Sequence, residues 1–435
     1  MHATPPSKPV SERILSVDAL RGFDMFWIVG GRDVFFALIA LLGVALPAAW
    51  LERINPSLPN WETFTYEMDH AAWEGFTAWD LVMPLFLFVV GVAMPLAFAK
   101  RMEQGQGKLS LYVRIIRRVL LLWVLGMIAQ GNLLDFQVWI PQVVQQAAEP
   151  GSVEQFHLFL FSNTLQAIAV GYLIASIVVL HLPKIAQAVV AVLLLVGYWA
   201  LLAFVTVPGA AGPALQPDQN FALYVDQLVL GPFRDSLSGA SIYTWVLSGM
   251  GFAATVLLGV FAGHVLRTGE IGLVKTFWLF VLGIVCLALG LVWHGEFTVL
   301  GYDVDLHGPW QCLIIKHLWT SSMVLYAAGW CYLLLALFYL VIDVLRLRWT
   351  ACCCTVLGAN AIFAYMVTRY IGPTESEIIP FRRIADTLFG GLAQHLGTLG
   401  EPWPKVGEFI LPLTAFALLW LLLRYMYRKE TFIRV

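Results

Sequence analysis

With 435 residues the chain is long enough for several soluble domains or one large membrane domain. Of these residues 60% are hydrophobic and only 12% charged, and the mean hydropathy is +0.77. A soluble surface of this size calls for roughly 25% charged residues, which excludes a soluble fold. A net charge of -2 gives nucleic acid no hold, so no nucleic-acid partner is expected.

The first 17 residues read as a cytoplasmic tail, because no signal-peptide core and cleavage site follow directly. A membrane helix needs about 20 mostly apolar residues. That rule predicts spans at residues 19–47, 80–99, 113–133, 158–181, 186–206, 241–266, 272–293, 318–345, 351–370 and 406–427. Residues 380–396 carry Arg382, Arg383, Asp386 and His395 among several glycines, and read as a re-entrant or interfacial piece. The expected fold is an all-α polytopic membrane protein of about ten helices, a single domain over residues 18–427 followed by a tail at 428–435. Of the 26 Lys and Arg residues, eighteen then fall on the side of the N-terminus, seven on the other, and Arg32 within the first span. This bias predicts cytoplasmic N- and C-termini, and long outer loops that cap the bundle.

Polar residues inside or beside the spans need a reason, since lipid does not tolerate them. Asp18, Arg21 and Asp24 recur at helical spacing near the inner end of the first span, as a structural clamp or a cofactor contact. Arg32 and Asp33 follow Gly30-Gly31 and diverge as neighbours on a helix, so they serve different partners. The segment from His70 through Ala71, Ala72, Trp73, Glu74 and Gly75 to Asp80 lies at the outer mouth. His70 is either a proton-transfer group or an interfacial structural histidine, and Asp69, Glu74 or Asp80 could orient its ring. Arg114, Arg117 and Arg118 open the third span, either to meet phosphates or as an ordinary positive-inside anchor. Asn163 to Gln166 open the fourth span, Lys316 to Ser322 the eighth, and Asn360 to Tyr365 sit in the ninth, lining a tunnel or bonding helix to helix. The histidines lack a three-ligand spacing and the six cysteines read as small apolar residues, so no metal is expected.

Four pieces, Ser16 to Gly22, His70 to Pro84, Lys316 to Leu325 and Asn360 to Tyr365, lie in the order found in a known family. The chain resembles the transmembrane acyltransferases related to lysosomal heparan-alpha-glucosaminide N-acetyltransferase, and especially their bacterial relatives. The resemblance implies that an acetyl group passes from cytosolic acetyl-CoA to the amine of a glucosamine-type sugar at the outer face. It also implies a bacterial inner membrane location and a homodimer. By this resemblance His70 is the general base or acyl carrier, assisted by Asp80, Asn163 and Lys316. Asp18, Arg21, Arg114, Arg117 and Arg118 would meet the cofactor, and Arg32, Asp33, Trp73, Glu74, Trp319 and Asn360 the acceptor. The chain departs from the lysosomal type at Gly30 to Asp33, where that type has an asparagine followed by small residues, and Arg32 there suits an acidic acceptor. A transporter of a sugar or small anion, or a non-catalytic membrane protein of the same fold, are the alternatives.

Overall fold

The computed structural model describes residues 14–45, 66–130, 133–134, 158–210, 212–234, 243–299, 302–370, 379–400 and 402–433. The N-terminal tail to residue 13 and much of the expected outer cap, residues 46–65 and 135–157, lie outside the described residues.

The first span is two helices. In α1 (Leu15–Phe26) the chain is regular, but at Gly30 it takes φ 114°, a conformation open to glycine because it has no Cβ. The chain therefore kinks at Val29–Gly30 before α2 (Arg32–Ala45) begins. A 3-10 turn at Ala78–Leu81 leads into α3 (Val82–Glu103), followed by α4 (Lys108–Ala129), α5 (Thr164–His181), α6 (Lys184–Phe204), α7 (Phe221–Leu230) and α8 (Gly249–Leu266). After α9 (Gly272–His294) comes an antiparallel hairpin of β1 (Glu296–Val299) and β2 (Tyr302–Asp305). The remaining helices are α10 (Ser321–Phe338), α11 (Cys352–Ala359), α12 (Ala361–Tyr370), α13 (Ile379–Gly397) and α14 (Trp403–Arg428).

Among the described residues eight helices are long and apolar enough to cross a membrane, two fewer than the ten spans expected. The third expected span is the helix α4, whose Arg114, Arg117 and Arg118 keep it from being as apolar as the others. The ninth is broken at Asn360 into α11 and α12, so neither piece has the length. Residues 380–396 belong to one continuous helix, α13, packed along α14. Leu109, Ile116, Leu120, Ile185, Leu193, Phe277 and Leu289 are exposed on α4, α6 and α9, an apolar surface suited to lipid. Multiple such helices make this a multi-pass membrane protein.

At the centre α3 and α8 lie backbone to backbone. A Cβ on Gly91 would fall on the carbonyl of Val256, and one on Gly259 on that of Phe88. Small residues allow this approach, and in lipid such packing replaces the hydrophobic effect as the force joining helices. Of the cysteines, Cys286, Cys312 and Cys331 are buried as expected of small apolar residues, but Cys352 and Cys353 open α11 and are exposed.

Gly91→Val should therefore lower the melting temperature of the detergent-purified protein by several degrees, since overpacking of this kind costs about 1–3 kcal/mol. Gly107→Val, where an added side chain meets open space, is the control. Equal melting temperatures for the two variants would remove the close central contact.

Candidate active site

The chain entering α3 builds a compact polar centre. Thr77 and Asp80 form a reciprocal capping box around the 3-10 turn, a pattern visible as Thr-x-x-Asp. The buried Asp80 carboxylate accepts from Ala71 N–H, Thr77 N–H and the Thr77 hydroxyl, each at 3.2 Å. Its other oxygen lies 2.7 Å from His70 Nδ1 and 3.0 Å from Lys316 Nζ. Of the three carboxylates that could orient the imidazole, Asp80 does so. Asp69 accepts the His70 backbone N–H at 2.9 Å, and Glu74 pairs through its backbone with Ile315.

The Lys316 ammonium is also 3.1 Å from His70 Nδ1. A ring nitrogen cannot donate to Asp80 and accept from Lys316 together, and the carboxylate contact is the shorter. Nδ1 therefore carries the hydrogen, and the Lys316 donor goes to the same carboxylate. Nε2 is left as the basic nitrogen of a side chain that is 43% exposed, while Lys316 and Asp80 are buried.

Lys316 reaches Asp80 because the chain reverses just before α10. Trp319 takes φ 55°, uncommon for a residue with a Cβ, and Trp319 N–H bonds back to the Lys316 carbonyl. Lys316 thus turns toward the centre and Trp319 toward the core. There the Trp319 indole bonds Thr255, and its ring fits against Gly251. This turn is held from behind: Thr244 and Ser248 bond the His317 and Leu318 carbonyls, and the buried Asp226 accepts from Trp245 and Val246 N–H at 2.8 and 2.9 Å. Burial raises Asp226 to about 6 despite these two bonds.

His317 is a second histidine beside the centre. Its ring stacks on Trp73 with centroids 5.3 Å apart and meets Tyr243 at 4.5 Å. Burial, reinforced by the Lys316 charge, lowers it to about 4, so it is neutral at physiological pH. Trp73 is fixed by its indole N–H bond to the Leu215 carbonyl. The Thr-x-x-Asp spacing is the signal that could mark Thr77, and His317 falls within the Lys316 to Leu325 piece, whereas Tyr243 has no sequence signal because its place comes from long-range packing.

The other expected site residues scatter. Arg32 faces Trp79 and Asp69 at the His70 end, while Asp33 lines a separate cavity with Arg382 and Glu408 between α2, α13 and α14, so the two neighbours do diverge. Asn163 caps α5, its oxygen accepting from Leu165 and Gln166 N–H and its amide bonding the Gly126 carbonyl. Trp319 lies in the core rather than at an acceptor surface, because the reversal before α10 turns it inward. Asn360 ties down the C-terminus through the Thr431 carbonyl and Ile433 N–H, at the opposite end of the bundle from His70. No group of three metal-ligating side chains occurs among the described residues.

A cavity of about 690 Å³ opens at that opposite end. Arg21, Lys100, Arg101, Arg118 and Arg267 give its mouth a basic rim, tempered by Asp18 and Glu103, and Ile14 and Ile433 bring both described chain ends to it. Arg118 also lies 4.5 Å over the Tyr172 ring. Arg114 and Arg117 are exposed on α4 and do not line it, so one arginine of the expected trio contributes. Asp24 does not join Asp18 and Arg21 there; it is buried with neither carboxylate oxygen bonded among the described residues. Inward the walls become apolar, with Met25, Ile28, Phe86, Val90, Leu122 and Ile168. From Arg101 to Phe86 this follows roughly 22 Å of α3, and Phe86 is roughly 9 Å along the axis from Asp80.

Because His317 is protonated far more easily when unfolded, folding releases its proton between pH 6.5 and about 4. Stability contributed by the neutral ring is complete above pH 6.5 and is lost as the pH falls to 4, about 3 kcal/mol in full. The melting temperature should accordingly fall more steeply over this window in the wild type than in His317→Gln; parallel curves would rule out a buried neutral ring.

Residues 13–207 match a domain of unknown function (DUF5009). The human heparan-alpha-glucosaminide N-acetyltransferase is 26% identical over 379 residues, covering 74% of this chain and 54% of the human protein. The mouse protein of the same name is 26% identical over 337 residues, covering 68% of this chain and 48% of its own. The chain spans about half the length of the curated relatives it matches. Its helices and these matches together make it a multi-pass membrane protein distantly homologous to the heparan-alpha-glucosaminide N-acetyltransferases.

Proposed function

We propose that the protein transfers an acetyl group from acetyl-CoA, bound at the basic cavity, to the amine of a glucosamine-type sugar at the His70 face. The observation that carries this reading is that one helix, α3, has an Asp-oriented imidazole at its start and a basic-mouthed, apolar-walled cavity along it that reaches Phe86, about 9 Å along the axis from Asp80. Arginine and lysine at the mouth suit phosphates, and the apolar walls suit a thin acyl-bearing arm. The distant homology to an acetyltransferase supports the same chemistry.

In this mechanism Asp80 holds Nδ1–H, and His70 Nε2 takes the proton that the acceptor amine loses. As the amine nitrogen bonds the acetyl carbon, the carbon–sulfur bond breaks, and His70 returns the proton to the departing sulfur. Lys316 neutralises the buried Asp80 charge and presents a cation beside the developing oxyanion. Trp73 offers an aromatic face to the sugar, and Glu74 lies beside it. By the same reading α4 and the α11–α12 pair also cross the membrane, giving ten spans with both termini cytoplasmic. A homodimer in a bacterial inner membrane completes the proposal.

The test is acetyl transfer in sealed vesicles, with acetyl-CoA supplied on the cavity side and glucosamine on the other. His70→Ala should lose about 10²–10⁴-fold in rate. Asp80→Asn, which disturbs the ring tautomer, should lose a comparable factor while retaining acetyl-CoA binding. Wild-type rates in a folded His70→Ala protein would overturn the mechanism.

A further inference from the structure

Arg32 stands outside the bonded group of His70, Asp80 and Lys316, yet close to it. Its guanidinium carbon lies 4.9 Å from the centre of the Trp79 ring and 5.3 Å from that of Phe36. The other neighbour of Trp79 is the catalytic imidazole, with ring centroids 6.2 Å apart. A guanidinium carries five N–H donors. Among the described residues one of them has an acceptor, the Asp69 carboxylate at 3.4 Å, and Nε is buried with none. Asp69 is 71% exposed, so solvent screens this pair and it holds the cation weakly. Arg32 itself is 30% exposed, open enough to be met from outside.

Two aromatic faces stiffen this cation, its donors are under-used, and one indole separates it from the reactive nitrogen. Such a planar fork is built to bind an oxyanion in two places. Its position follows from the break at Gly30, which starts α2 anew and turns residue 32 toward Trp79 while residue 33 turns away.

We propose that Arg32 is a specificity-determining subsite for an anionic group on the acceptor, which is thus an amino sugar bearing a carboxylate or a phosphate ester about one sugar ring from its amine. This rests on the acetyl-transfer reading. The terminal nitrogens recognise the anion, while His70 addresses the amine.

Three acceptors in the vesicle assay test it: glucosamine, glucosamine 6-phosphate, and muramic acid, whose lactyl ether carries a carboxylate. In the wild type at least one anionic acceptor should exceed glucosamine in kcat/KM by about 10–100-fold, the worth of a hydrogen bond to a charged group. The two anionic sugars separate phosphate from carboxylate as its source. In Arg32→Gln that ratio should collapse toward one, and in Arg32→Lys it should fall to an intermediate value. A wild-type ratio near one, or a ratio unchanged in Arg32→Gln, overturns the subsite, and the wild-type ratio needs no variant to fold. A second readout is tryptophan fluorescence of the detergent-purified protein titrated with N-acetylmuramic acid, N-acetylglucosamine 6-phosphate and N-acetylglucosamine. Arg32-dependent binding of an anionic sugar without any transfer keeps the subsite and removes the acetyl-transfer reading; transfer that ignores the anion does the reverse.

Discussion

The Lys316–Asp80 ion pair is the interaction on which the active face depends. It joins the start of α3 to the turn before α10, segments 236 residues apart in sequence, and both partners are withdrawn from solvent. Taking two charges out of water is expensive, and the attraction between them repays that cost only when further hydrogen bonds complete the shell. Here Ala71, Thr77 and His70 complete it. Removing one member would strand the other, a loss of about 3–5 kcal/mol. The pair thus fixes geometry more than it adds stability: with Asp80 anchored, the imidazole has one orientation and one tautomer.

Behind that pair the fold supplies rigidity from the backbone. Buried hydroxyls at Thr244, Ser248, Ser321 and Ser322 bond carbonyls on neighbouring segments. In a bundle without water such bonds, together with the glycine contacts between α3 and α8, resist sliding of one helix along another. The strained Trp319 is tolerated because the core grips its side chain, so local strain is balanced by packing.

Much of this was legible in the sequence where a property is local. Long apolar runs marked the helices; the capping spacing of Thr77 and Asp80 and the Gly30-Gly31 pair are local patterns too, though the predicted first span ran unbroken over 19–47. His70 stood out because a titratable ring at the mouth of an apolar helix needs a partner. Which carboxylate would orient it was not legible, since Asp80, the farthest of the three in the chain, is the partner and backbone geometry decides among them. The resemblance cast Trp319 and Asn360 as acceptor contacts; one turns inward at a reversed backbone and the other grips Thr431 and Ile433. The arginine trio shares one broad helix face, yet only its Arg118 edge turns to the cavity while Arg114 and Arg117 stay exposed, and charge alone carries no direction. Lys100, Arg101 and Arg267 read as ordinary inner-side charges, and only packing gathers them around one opening.

The tether at Asn360 makes the last residues part of that opening. Thr431 and Ile433 are bonded to a side chain deep in the break between α11 and α12, and Ile433 forms part of the cavity wall. Residues 431–433 thus act as a clasp, closing the opening from 71 and 73 residues further along the chain than the side chain that holds them. Without the Asn360 amide the surrounding helices would keep their places while one edge of the mouth came undone.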